Sequence, residues 1–311
     1  MAIPVSSIST AATVSAAELR RGRRGDGRAA SGFLAPSLLG LMAFTSFPIV
    51  ASLVISFYNW PVFGSQAFVG LRNYQTLLES KAFRTAVLNT MLFVVLYVPL
   101  NIVISLGLAV WISPRIKGRG AYRTLFFIPA VTPVVANAAI FSLILSPNGL
   151  VDSLSQTWFA QQAPNFLGST SWAMAAVVLL SIWQGFGYNM LVFSAALDAV
   201  PSSLTEQAAI DGASTINRFF RIVLPLLTPS IFFAVVLTLI SSFQVFTQAY
   251  VLTGGGPGNT TTTMVLFLYE QGFRFFKLGL ASAVAWVLFL IILVITVFQF
   301  IGQKKWVNYD Q

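Results

Sequence analysis

Six long apolar runs, separated by more polar connections, dominate the chain. They cover residues 33–57, 86–112, 123–145, 172–196, 228–252 and 279–302. Each reaches the ~20 residues that a helix needs to cross a bilayer. No Asp, Glu or Lys falls inside any of them, and the one Arg, Arg123, stands at the edge of the third. Pro48, Pro99, Pro129 and Pro133 lie within spans, where neighbouring helices re-satisfy the carbonyls a proline frees. The fourth and fifth spans carry neutral polar groups: Trp183, Gln184, Tyr188, Asn189, Ser241, Ser242, Gln244 and Gln248. The pattern predicts an all-α integral membrane protein with six transmembrane helices in one polytopic domain over 31–305. An Ala-, Ser- and Thr-rich tail, 1–30, is expected to be disordered, and a short tail, 306–311, ends the chain.

Composition agrees with that reading and narrows the chemistry. Of 311 residues, 56% are hydrophobic and only 9% charged, against about 25% charged in a soluble domain. Cysteine and histidine are both absent, which removes disulfides, thiolate or imidazole metal sites, Cys nucleophiles and His acid–base catalysis. The formal charge of +9 suggests nucleic acid until its distribution is read. Thirteen of the eighteen Lys and Arg gather on one set of segments: Arg20, Arg21, Arg23, Arg24 and Arg28; Arg115, Lys117, Arg119 and Arg123; Arg218 and Arg221; Lys304 and Lys305. Arg72, Lys81, Arg84, Arg274 and Lys277 occupy the other side. The charge therefore orients the bundle, with both termini in the cytoplasm, and implies no nucleic-acid partner. The run from Phe33 to Phe57 is too long for a signal-peptide core and no A-x-A site follows it, so it reads as an uncleaved first span.

One connection differs from the others. Loop 200–225 gathers Glu206, Asp211, Arg218 and Arg221 between two uncharged spans. Ser203 and Glu206 have the spacing of a capping box and predict a helix start. Gly212 predicts its end, Ser214 or Thr215 starts a second short helix, and Leu224-Pro225 predicts where that one stops. Glu206 and Asp211 would stand about 140° apart around one helix, so they do not form a catalytic pair. Ala208, Ala209, Gly212 and Ala213 keep the first helix slim enough for a partner to approach closely. Phe219, Phe220, Ile222 and Val223 are expected to pack the second helix back against the membrane domain.

Glu206-Gln207-Ala208-Ala209-Ile210-Asp211-Gly212-Ala213, followed by Ile222 and Leu224-Pro225, resembles the EAA signature of bacterial ABC importer permeases, with Gln207 in place of the first alanine. FPIVASLVISFYNW, FVGLRNYQTLL, LNT at 88–90, KGRGAYRTLFFIPAVTP, SPNGLVDSL and YVLTGGGPGNTTTT resemble the carbohydrate-uptake, maltose-type branch of that family, in order along nearly the whole chain. The resemblance implies a type I importer permease fold in a bacterial inner membrane. It implies a second homologous permease forming a heterodimer, a dimeric ATPase that holds ATP and Mg, and an extracytoplasmic solute-binding protein. It assigns Glu206, Ala208, Ala209, Asp211, Gly212 and Ala213 to a coupling helix seated on the ATPase. The chain itself would bind no cofactor. Its GGGPG at 254–258 lacks the Lys-Ser/Thr ending of a phosphate-binding loop and reads as a tight external turn.

Neutral polar groups and rings facing each other suit a saccharide, whose hydroxyls hydrogen-bond while its C–H faces stack on rings. The expected substrate path comprises Ser181, Trp183, Gln184, Gly185 and Tyr188 in the fourth span. In the fifth it comprises Ser241, Ser242, Gln244 and Val245. By resemblance, Gly185 and Tyr188 lie where maltose-type permeases contact sugar. The same Gln, Ser and Gly residues equally serve helix packing. No Arg or Lys sits deep in a span to receive a phosphate, which favours a neutral di- or oligosaccharide over sn-glycerol 3-phosphate or its diesters. Ion-coupled transport generally places carboxylates inside the membrane, and the spans hold none. A membrane enzyme lacks its chemistry here for the same reason.

Overall fold

A computed structural model describes residues 31–112 and 116–308. The tail 1–30, with its five arginines, and Arg115 lie outside the described residues, as do the last three positions of the C-terminal tail. The chain divides into two compact units, one ending at Val54 and the other beginning at Ile55. A helix, α1, spans Ser31–Ser56, all but its last two residues in the first unit. A π turn at Met42–Ser46 interrupts it two residues before Pro48.

The second unit starts with a short antiparallel pair, β1 (Tyr58–Asn59) and β2 (Ala67–Phe68). Next come α2 (Arg72–Glu79) and α3 (Lys81–Trp111). Ser80 caps α3 by accepting from the Phe83 N–H, and the helix runs through Pro99 without ending. α4 (Arg119–Val131), α5 (Val134–Leu145) and α6 (Leu150–Phe159) follow, then the long α7 (Ala173–Ala199). The polar loop forms α8 (Ser202–Ile210) and α9 (Thr215–Leu226). α10 (Thr228–Phe243), α11 (Thr247–Thr253), α12 (Met264–Tyr269) and α13 (Leu278–Gly302) complete the unit.

Among the described residues, five helical stretches are long and apolar enough to cross a membrane: α1, α3, α5 with α6 (Val134–Phe159), α7, and α13 extended to Lys305. A sixth arises if α9 and α10, bent by 65° at Leu227, are one span. Two expected spans differ in detail. The third, expected as continuous over 123–145, breaks at Thr132-Pro133, where Thr132 is extended (ψ 145°). A residue before proline is pushed from the α region, and Pro133 has no N–H to offer the Pro129 carbonyl. The fifth, expected over 228–252, ends at Phe243 and restarts at Thr247. Irregular backbone at this depth survives only where protein groups satisfy it. Here Thr263 Oγ1 donates to the Val245 carbonyl at 2.8 Å.

Packing closes around α3, α7 and α10. Phe193, Met190, Phe243, Met264 and Val284 are buried in one apolar cluster, and Phe93, Val177, Leu180 and Leu266 in a second. The same three helices share a polar node. Asn189 Nδ2 on α7 donates to Asn101 Oδ1 on α3 at 2.7 Å and to Thr238 Oγ1 on α10 at 2.8 Å, all of it buried. The outer face of α13 leaves Phe289, Leu290, Leu293, Val294 and Phe298 uncovered, as a surface facing hydrocarbon or another apolar subunit requires.

The glycine–threonine segment after α11 is an ordered turn. Gly254, at φ +58°, ends α11. The hydroxyls of Thr261 and Thr262 donate to the carbonyls of Gly256 and Gly255. Asn89 Nδ2 on α3 donates to the Asn259 and Thr262 carbonyls (2.7 and 3.0 Å), and Thr90 Oγ1 accepts from the Met264 N–H at 2.9 Å. The Leu-Asn-Thr motif of the second span therefore fastens this turn.

Candidate functional site

The polar loop is built as a helix–turn–helix with Glu206, Asp211 and Arg221 outward. α8 ends in a Schellman motif: Ala213 N–H donates to the Ala208 carbonyl, Gly212 N–H donates to the Ala209 carbonyl, and Gly212 takes φ +81°. Glu206, Ala209, Asp211 and Gly212 are exposed, and Ala208 and Ala213 half-buried. Neither carboxylate takes part in an ion pair among the described residues. Ser214 caps α9 by accepting from the Asn217 N–H at 3.3 Å. Arg218 ties the two helices together, donating to the Thr205 carbonyl (3.3 Å) and to Thr215 Oγ1 (3.1 Å).

Two expectations need correction. The capping box does not form: the helix starts at Ser202 with Pro201 as its N-cap and no side-chain cap bond. Proline fixes φ near the helical value, so the helix begins directly behind it and Ser203 falls inside. The second helix does not stop at Leu224-Pro225. A π turn over Phe219–Val223, closed by Leu224 N–H to the Phe219 carbonyl, carries it on to Leu226. The carbonyl that would meet proline's missing N–H, at Arg221, sits in the widened turn, as the Phe44 carbonyl does ahead of Pro48. Phe219, Ile222 and Val223 are half-buried, while Phe220 is exposed. With Ile210 (86% exposed) and Ile216 (69%), Phe220 leaves apolar surface beside the charged residues.

The side chains expected along the path are dispersed. Tyr188, Ser241 and Gln244 are exposed, whereas Ser181, Ser242 and Val245 are buried. Ser181 Oγ donates to the Val177 carbonyl and Ser242 Oγ to the Leu239 carbonyl. Trp183 rests against Phe141 with ring centroids 5.3 Å apart. Gln184 is engaged at both ends of its amide: Nε2 donates to the Pro129 and Thr132 carbonyls (3.1 and 3.0 Å), and Oε1 accepts from Asn137 Nδ2 (2.8 Å). At Gly185 a Cβ would collide with the Tyr97 hydroxyl and crowd Asn101 Nδ2; at Gly187 it would meet the Phe126 carbonyl. These glycines let α3 and α4 approach α7 closely.

Sequence reasoning missed Asp198 near the end of α7. It pairs with Arg119 (3.3 Å) and Arg123 (3.1 Å), two of the cations counted for topology. It also missed Asn137. A lone carboxylate just past a span, or a lone amide inside one, carries no periodic signal; only the fold shows what it faces.

Residues 101–307 match the family of binding-protein-dependent transport system inner membrane components. Among curated relatives, "Probable ABC transporter permease protein YesP" of Bacillus subtilis (strain 168) is 36% identical over 294 residues, covering 93% of this chain and 95% of its own. "sn-glycerol-3-phosphate transport system permease protein UgpA" of Yersinia enterocolitica is 36% identical over 283 residues (88% and 94%). "Probable starch degradation products transport system permease protein AmyD" of Thermoanaerobacterium thermosulfurigenes is 30% identical over 274 residues (88% and 93%). Among solved structures, a chain of a bacterial ABC transporter involved in the import of the acidic polysaccharide alginate superposes with a TM-score of 0.79 at 23% identity, covering 92% of this chain and 98% of that one. With two thirds of its length matched by the family and its apolar helices arranged as above, the chain belongs to the binding-protein-dependent transport system inner membrane components, as an ABC importer permease subunit.

Proposed function

We propose that this permease crosses the membrane six times with both termini in the cytoplasm, and pairs with a second, homologous permease in the inner membrane of a bacterial cell. An ATPase dimer holding ATP and Mg drives the pair, and an extracytoplasmic binding protein delivers the solute. The observation carrying this reading is the loop. An exposed Schellman turn sets Glu206 and Asp211 beside uncovered Ile210, Ile216 and Phe220 on two helices tied by Arg218. Such a mixed apolar and acidic surface suits a cleft with basic rims. Glu206→Lys in the reconstituted complex is expected to leave ATP hydrolysis running while uptake collapses. Unaltered uptake would count against the docking role, as would wild-type transport stopped by an uncoupler but indifferent to vanadate.

The solute proposed is a neutral di- or oligosaccharide, passing along α7 and α10 where Tyr188, Ser241 and Gln244 are open. Side chains there are neutral, and a relative is named for starch degradation products. A second reading, sn-glycerol 3-phosphate or its diesters, has the UgpA relatives in its favour. A thermal-shift screen of the cognate binding protein with maltodextrins and glycerophosphates separates the two.

A further inference from the structure

α7 is the element that enters the loop: it ends at Ala199, and α8 begins at Ser202. α4 is fastened along it at three levels. At the loop end, Asp198 holds Arg119 and Arg123. One level in, Gly187 brings the helix against the Phe126 carbonyl. Deeper still, Gln184 meets the break between α4 and α5. Pro133 leaves the Pro129 carbonyl without a backbone donor, and the extended Thr132 points its own carbonyl out of the helix. Gln184 Nε2 donates to both. Thr132 Oγ1 also donates to the Pro129 carbonyl (2.8 Å), and Asn137 Nδ2 closes the ring onto Thr132 Oγ1 (2.6 Å) and Gln184 Oε1.

Both Nε2 hydrogens of Gln184 and one lone pair of its Oε1 are thus directed at the broken third span, leaving a solute no donor and a single acceptor position. Carbonyls freed inside a membrane are costly unless a neighbour reaches them, so the ring also holds α5 at one angle to α4. We propose that Gln184 is a positioning residue: with Asn137 it pins the broken third span to α7, so that displacement of the loop moves α4, α5 and α7 as one lever. This rests on the reading of loop 200–225 as the ATPase contact, and it reassigns Gln184 from solute contact to transmission.

The complete complex in proteoliposomes, with its binding protein, tests it. The probe is labelled maltodextrin or sn-glycerol 3-phosphate, whichever the wild type accumulates with ATP. If the wild type accumulates neither in an ATP-dependent way, the importer reading itself fails. Given wild-type uptake, Gln184→Leu and Asn137→Leu should each lower maximal uptake per assembled complex about tenfold, the size expected from orphaning buried carbonyls. ATP hydrolysis and the half-saturating solute concentration should stay within about twofold. The double variant should be no worse than either single one, because both break the same ring. A raised half-saturation or altered solute preference in Gln184→Leu would overturn the proposal in favour of direct contact. Multiplying losses would overturn the shared ring. Reduced assembly with an unchanged ratio of uptake to hydrolysis would reduce Gln184 to a folding role. Should Gln184→Leu fail to assemble, Asn137→Ser, which shortens the donor, is read by the same criteria.

Discussion

Gly212 separates conformational need from room. Its φ of +81° is unfavourable for a side chain, yet nothing in the chain lies near the position a Cβ would take. Gly212→Ala should therefore cost about 1 kcal/mol of turn stability, while Gly212→Asn, which tolerates that region, should cost less. If the partner needs the open space, Gly212→Asn will keep the thermal unfolding temperature of the isolated permease and still reduce co-purification with the ATPase. Retained co-purification would assign the glycine to the turn alone. Both the turn and its glycine were legible in the sequence. The capping box was not, because Pro201 and Ser203 compete for the same helix start and only the built helix shows which one sets it.

Among the elements, the two broken helices carry the same lesson in different forms. Pro129 and Pro133 were legible inside the third span, but neither the break at Thr132-Pro133 nor how its carbonyls would be answered was, since Gln184 is more than fifty residues away. The fifth span gave no proline at its break, and Thr263 supplies the bond that permits it. The turn 254–263 is likewise held from outside by Asn89 and Thr90. Thr90→Val keeps the volume and strands the buried Met264 N–H, so it should lower stability by about 1–3 kcal/mol. Thermal unfolding of the purified complex measures that, and an unchanged transition would show the tether to be dispensable.

For the whole molecule, orientation is the property to test. The chain contains no cysteine, so single cysteines report without background. Ser214→Cys in the loop should react with an impermeant maleimide only after the cytoplasmic side is opened. Gln161→Cys, exposed between α6 and α7, should react in intact spheroplasts. Reversed labelling would invert the proposed topology. Composition and the length of the apolar runs made the membrane class readable, because a bilayer imposes a length on every span; the six expected crossings stand against five candidate stretches among the described residues, or six if α9 and α10 are one. The buried node of Asn101, Asn189 and Thr238 was not readable as a unit, since three separate helices contribute to it.

By itself the sequence determined the solvent and the plan: long uncharged runs have no stable place except in hydrocarbon, and the polar loop with its glycine had to lie outside it. The family resemblance, carried by motifs along that plan, was also available before any coordinates. Tertiary structure alone decided what the neutral polar residues of the spans touch. A glutamine in an apolar helix reads the same whether it awaits a solute or closes a gap in a neighbour. At Gln184 the missing N–H of Pro133 and the turned carbonyl of Thr132 supply the gap, and hydrogen bonding inside a membrane leaves such groups no water to turn to.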